Sequence, residues 1–102
     1  MTATLTITDG LAAIALDRPK AHNALDATTK VALAEAVTAA GADPAVRAVL
    51  LTANGRNFCV GQDLGEHVAA LEADPSTAMD TVVEHYNPLI RAVRDIAVPV
   101  VV

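Results

Sequence analysis

Thr4-Leu5-Thr6-Ile7-Thr8 alternates strictly between polar and apolar residues, and Asp9-Gly10 separates it from a second run, Leu11-Ala12-Ala13-Ile14-Ala15-Leu16. A period of two sends every second side chain to one face, the pattern of a half-buried strand. Asp-Gly between two such runs predicts a tight hairpin, because glycine accepts positive φ without a steric penalty. Asp17-Arg18-Pro19 ends the second strand, since proline withdraws a ladder donor. A hairpin must bury one face against something, so the segments that follow decide the fold.

The first of them is helical. Asp26 is the expected N-cap, its carboxylate accepting from exposed N–H groups of the first turn. Thr29, Leu33, Ala36, Val37 and Ala40 then mark one face at helical spacing, Gly41 is the expected stop, and Ala42-Asp43-Pro44 a linker. The run Ala48-Val49-Leu50-Leu51, inside Val46 to Thr52, suits a strand buried on both faces. Asn54-Gly55 predicts a turn. Asp63 and Glu66 have capping-box spacing, so a short helix is expected to start there, with residues 68 to 76 a variable loop or lid. Met79, Val82, Val83, Tyr86, Leu89, Ile90 and Val93 form the stripe of a longer helix, read as core or lid packing, which Pro88 should kink or split. Val98-Pro99-Val100-Val101-Val102 reads as another strand. No turn, cap or polar tail follows it, so the end reads as a truncation. The order hairpin, helix, strand, helix, strand predicts an α/β architecture.

Composition narrows the function classes. Apolar residues make up 53% of the 102, which excludes a disordered segment. Much of that share is Ala and Val, with one Phe, one Tyr and no Trp, so low stability is expected for the isolated chain. A net charge of −5 with scattered basic residues argues against a nucleic-acid footprint. Cys59 is alone, which excludes an internal disulfide and suits a reducing compartment. The N-terminus lacks the basic start and apolar run of a secretory signal, and no apolar stretch is long enough to span a bilayer. The expectation is a soluble cytoplasmic protein without membrane contact. His22, His67 and His85 lie too far apart to suggest a metal site, and no Walker or dinucleotide fingerprint is present. Cys59 has no adjacent basic residue and reads as a structural thiol.

The most informative segment is Gly55-Arg56-Asn57-Phe58-Cys59-Val60-Gly61-Gln62-Asp63-Leu64. It sets small and apolar residues just before a helix start, where backbone N–H groups unused by the helix can face a ligand oxygen. Such donors favour negative charge developing on a ligand oxygen. From residue chemistry alone the segment reads first as an ordinary strand-to-helix turn. Asp63 reads as a cap, and Glu66, Glu72 and Glu84 as solvated carboxylates, so no general acid or base is assigned.

This segment resembles the enoyl-CoA hydratase/isomerase (crotonase) family's pattern of an aromatic, small residues, Gly, a variable residue, Asp and an aliphatic residue. The resemblance implies that the backbone N–H of Gln62 is one of two oxyanion-hole donors to the thioester oxygen, its side chain being dispensable. Gly61 would permit close approach, Asp63 would orient the turn, and Gln62, Asp63 and Leu64 would line the acyl-pantetheine path. Upstream, Leu16-Asp17-Arg18-Pro19-Lys20-Ala21-His22-Asn23-Ala24-Leu25 resembles the family's Asn-Arg-Pro…Asn-Ala-Leu segment, with Asp17 in place of the usual Asn. Lys20, Ala21 and His22 are thereby placed near the CoA nucleotide, Lys20 as a point charge for a phosphate. A solvated loop is the alternative for Lys20 and His22, and Arg18 is expected to be structural.

The resemblance runs along residues 1–102, which it identifies as the N-terminal portion of a single crotonase-like domain. The implied α/β fold is an incomplete spiral of ββα units. The implied activity is enoyl-CoA hydration or double-bond movement through a thioester enolate, with no metal or redox cofactor because CoA is part of the substrate. Gly61-Gln62-Asp63-Leu64 and Tyr86-Asn87-Pro88-Leu89 look closest to the ring-1,2-epoxyphenylacetyl-CoA isomerase branch, and a non-catalytic CoA-binding or assembly fragment is the remaining alternative. A homo-trimer or hexamer is the expected full-length assembly. The second oxyanion donor and the catalytic carboxylates are expected beyond Val102, so the 102-residue chain alone is expected to be inactive.

Overall fold

The computed structural model describes all of residues 1–102. The hairpin forms as β1 (Ala3–Thr8) and β2 (Leu11–Leu16), paired antiparallel from Ala3 opposite Leu16 to Thr8 opposite Leu11. Asp9 and Gly10 both take positive φ, 51° and 84°, the requirement of a type I′ turn. The pleat sorts the second strand cleanly, with Ala12, Ile14 and Leu16 buried and Leu11 exposed.

A 3-10 turn at Pro19–Ala21 leads to α1 (Ala27–Ala42). Asp26 caps it as expected, accepting from the Thr29 N–H at 2.8 Å. Thr29, Leu33, Ala36, Val37 and Ala40 are all buried. The helix does not stop at Gly41. It continues to Ala42 and ends at Asp43, because Pro44 disfavours helical backbone in the residue before it. Gly41 serves packing instead, since a Cβ there would lie 3.1 Å from Ile96 Cγ1.

The chain then crosses back to β3 (Ala48–Ala53), parallel to β2 with Leu11 opposite Ala48. The sheet order is β1-β2-β3-β4, the last strand being only Val100–Val101, parallel to β3. Val49 is the one fully buried residue of β3; its neighbours are only partly covered. One face of the hairpin, the inner face of α1, Val46, Val49 and Leu89 make up the core.

Two expectations in the second half change. The helix α2 runs from Leu64 to Ala73, so residues 68–73 are helical rather than loop. Val68-Ala69-Ala70-Leu71-Glu72-Ala73 consists almost wholly of good helix formers, and this local preference prevails over the nearby Asp74 and Pro75. The stripe from Met79 to Val93 forms a π turn (Val82–Tyr86) continuous with α3 (Asn87–Asp95). Pro88 has no N–H for the Glu84 carbonyl and its ring would crowd that group, so the preceding turn widens, with Asn87 N–H reaching back to Val82 O. Of the stripe only Leu89 is buried, while Met79, Val83 and Ile90 are exposed. No helix is long and apolar enough to cross a membrane.

Candidate functional site

Two loops, residues 17–25 and 54–63, meet at the C-terminal ends of β2 and β3. Asn23 joins them from a left-handed conformation (φ 56°). Its Oδ1 accepts from the Arg18 N–H at 2.7 Å, and its Nδ2 donates to the carbonyls of Asn54 and Asn57, each at 2.8 Å. Asn23 is 1% exposed, so these bonds satisfy a buried amide in full view of both loops. Gly55 (φ 91°) presses against Pro19, where a Cβ would come within 2.7 Å of the proline Cβ. The loops could not approach so closely with any other residue there.

Arg18 supplies the charge that locks this junction. It donates to Asp63 Oδ2 at 2.7 Å and to Ala24 O at 2.9 Å, and lies 3.4 Å from Asp26. Its role is structural, as expected. Asp63 caps α2 by accepting from Glu66 N–H at 2.8 Å. That bond, then the Arg18 hydrogen bond, hold the Asp63 carboxyl below its ordinary value. Burial pushes Asp26 upward, but the bonds from Thr29 and the Arg18 charge outweigh it, leaving a net depression. The capping box is only half formed. Glu66 accepts from Ala27 N–H at 3.0 and 3.1 Å, the open start of α1, while Asp63 N–H is taken by Leu25 O.

The Gln62 peptide is set by a single parallel bridge to Leu25. Leu25 N–H donates to Gly61 O at 2.8 Å, and Asp63 N–H donates to Leu25 O at 3.0 Å. In such a bridge the central residue turns its own N–H the other way, and Gln62 N–H donates to no group of the chain. Gly61 has φ 95°, and a Cβ built there meets nothing within 4 Å, so backbone conformation selects glycine while the adjoining space stays open. Beside Gln62 lies a cavity of about 230 Å³, also lined by Leu64, His67, Met79, Thr81, Val82 and Tyr86.

The side chain of Gln62 is not idle, contrary to the expectation that only its backbone matters. Its Oε1 accepts from Lys30 Nζ at 3.0 Å and from the Tyr86 hydroxyl. Lys30 is 0% exposed and sits 4.3 Å from the centre of the Tyr86 ring. Burial holds its ammonium below the ordinary lysine value, against the opposing pull of Glu66, Asp26 and Asp63. Burial likewise raises the Tyr86 hydroxyl, with Cys59 and Glu66 adding to it. Sequence reasoning passed over Lys30. The signal was present, because 30, 33, 37 and 40 share one helical face and a lysine there interrupts an otherwise apolar stripe.

The other expected contact residues fall in a second place. Lys20 and Ala21, with Asp17, Arg18 and Pro19, line an open groove of about 430 Å³. His22 takes a left-handed conformation and its Nδ1 lies 2.9 Å from Asn57 Oδ1. Leu64 joins Gln62 in the first cavity, whereas both carboxylate oxygens of Asp63 are engaged inside the junction. Cys59 packs beside the core, its sulfur 3.4 Å from Gly61 N.

A hairpin, a return through α1 to a parallel strand and a helix starting just after the open amide make up an α/β scaffold of the crotonase class. Residues 6–102 match the enoyl-CoA hydratase/isomerase family, and the chain belongs to it. A Rhodobacter capsulatus protein named "probable enoyl-CoA hydratase" is 41% identical over 95 residues, covering 92% of this chain and 34% of its own length. The 1,2-epoxyphenylacetyl-CoA isomerase of Escherichia coli is 34% identical over 93 residues, covering 90% and 35%. Among solved structures, a Mycobacterium abscessus protein named by family as an enoyl-CoA hydratase/isomerase superposes with a TM-score of 0.94 at 60% identity. That match covers 96% of this chain and 38% of the other. The chain thus spans about a third of the curated relatives it matches.

Proposed function

We propose that this chain supplies the first half of a thioester-activating site, in which the Gln62 N–H donates to the carbonyl oxygen of an acyl-CoA. Two observations carry this reading: the Gln62 N–H has no acceptor in the chain, and Gln62 lines a cavity walled by Leu64, Met79 and Val82. A donor fixed before the reaction is worth most where negative charge develops, because no reorganisation is needed as the enolate forms. The activity is hydration of, or double-bond movement in, an enoyl-CoA. CoA enters as part of the substrate, and no metal or redox cofactor is called for. Lys20 and Ala21 line an open groove, and with His22 they are assigned to the path of the CoA nucleotide, Lys20 as the charge for a phosphate. The carboxylates that move protons, the second donor, a cytoplasmic site of action and a trimeric or hexameric assembly belong to the same reading.

The test is Gln62→Pro in the full-length product of the gene, which removes the donor. Turnover of crotonyl-CoA is expected to fall by about 10²–10³ while CoA itself still binds. Turnover retained at the parental rate refutes the cradle.

A second reading, isomerisation of ring-1,2-epoxyphenylacetyl-CoA, is favoured by the 34% identity to the Escherichia coli isomerase. It uses the same cradle. Parallel turnover of that epoxide and crotonyl-CoA separates the two.

A further inference from the structure

Lys30 poses a question that thioester chemistry leaves unanswered. An ammonium with no solvent exposure is unfavourable unless its surroundings compensate it, and an apolar residue of similar volume is often at least as stable. Its compensation comes from two hydrogen-bond acceptors and a ring, and one of the acceptors is Gln62. Lys30 Nζ donates to Gln62 Oε1 and to Thr81 Oγ1, and the Tyr86 hydroxyl donates to the same Gln62 Oε1. The Tyr86 ring faces the ammonium at 4.3 Å, within cation–π range. The nearest carboxylate, Glu66, stands 3.8 Å away, reaches solvent and is already bonded to Ala27 N–H. Two separate elements, α1 and the π turn, therefore hold the side chain of Gln62, whose backbone N–H has no internal acceptor.

We propose that Lys30 and Tyr86 are positioning residues for thioester activation: they clamp Gln62 through its side-chain oxygen, and so keep the Gln62 N–H aimed into the cavity. The buried ammonium adds a fixed positive charge beside the place where the enolate oxygen develops, in surroundings where such a charge is weakly screened. This rests on the assignment of Gln62 N–H as an oxyanion donor. It extends that assignment to Lys30 and Tyr86, which act through Gln62, and it makes the Gln62 side chain part of the machinery.

The experiment compares Lys30→Met, Tyr86→Phe and Gln62→Pro in the full-length gene product. Three quantities are read: kcat and KM with an enoyl-CoA, the absorption maximum of a bound conjugated acyl-CoA, and the thermal midpoint. A conjugated thioester absorbs at longer wavelength when its carbonyl oxygen receives stronger donors, so this shift reports the aim of the amide directly. The clamp predicts that Lys30→Met lowers kcat about tenfold, less than deleting the donor outright. It predicts KM nearly unchanged, a smaller red shift, and a thermal midpoint no lower than the parent's. Tyr86→Phe, which deletes a single hydroxyl, moves kcat and the red shift the same way by a smaller factor, and carries the decision should Lys30→Met fail to fold. Parental kcat and red shift in Tyr86→Phe and Lys30→Met, with Gln62→Pro inert, overturn the clamp and leave the cradle standing. A fully active Gln62→Pro overturns both.

Discussion

Asn23 shows how one side chain can hold two loops in register. Replacing it with alanine strips donors from the Asn54 and Asn57 carbonyls and the acceptor from Arg18 N–H. Alanine also tolerates φ 56° less well than asparagine. Asn23→Ala is expected to destabilise the full-length protein by about 2–3 kcal/mol, read from its urea midpoint. Lys20 sits at the opposite extreme, exposed and without a partner. Lys20→Ala should leave stability unchanged and weaken CoA binding a few-fold, an effect that shrinks as salt is raised. Acid should act through Asp63 and Asp26, both depressed below the ordinary 3.8. Above that value both are ionised folded and unfolded, so their contribution is complete. As pH falls below it, the unfolded chain takes up protons first, and the contribution is lost through the lower folded values. Between about pH 5 and pH 2 the urea midpoint of the parent should therefore fall more steeply than that of Asp63→Asn.

At the scale of elements, the start of α2 and the π turn set the geometry around Gln62. Asp63→Ala removes the α2 cap and the Arg18 pair together. The cap alone is worth about 1 kcal/mol. Pro88 acts at a distance of two residues, by widening the turn that carries Tyr86. Pro88→Ala is expected to let that turn relax toward an α-helix, rotating the Tyr86 hydroxyl off Gln62. Helical circular dichroism should then hold or rise while kcat falls, and a loss of helix together with kcat would contradict this account. Periodicity revealed the cap and the buried face of α1, because both are local; the stop fell at Asp43, before Pro44, and not at Gly41. The half-formed capping box was not legible: Glu66 finds a better partner in the first N–H of a helix 39 positions away in sequence.

The whole molecule leaves much of its apolar surface uncovered. Leu64, Met79, Val83 and Ile90 are more than half exposed, as are Val101 on the last strand and Val102 after it. Sixteen of 102 residues are buried, and eleven of those form the one core of hairpin, α1, Val46, Val49 and Leu89. The 102-residue chain by itself is therefore expected to unfold at low denaturant, to bind a hydrophobic dye, and to show no hydration of crotonyl-CoA. Measurable, specific hydration by this chain would instead place a complete site within it.

Local pattern sufficed for the hairpin, the α1 face and the presence of a strand after Val46, because each depends on neighbours within a few positions. Spacing also marked Asp63 as a cap, whereas Gly61 and Gln62 were singled out only by the family resemblance. Tertiary structure alone decided that Arg18 joins Asp63 to Asp26, that Asn23 bridges two loops, and that Lys30 and Tyr86 converge on the Gln62 side chain. Hydrogen bonds and buried charge are satisfied across space by whichever partner the fold delivers, and no periodicity records that partner in advance.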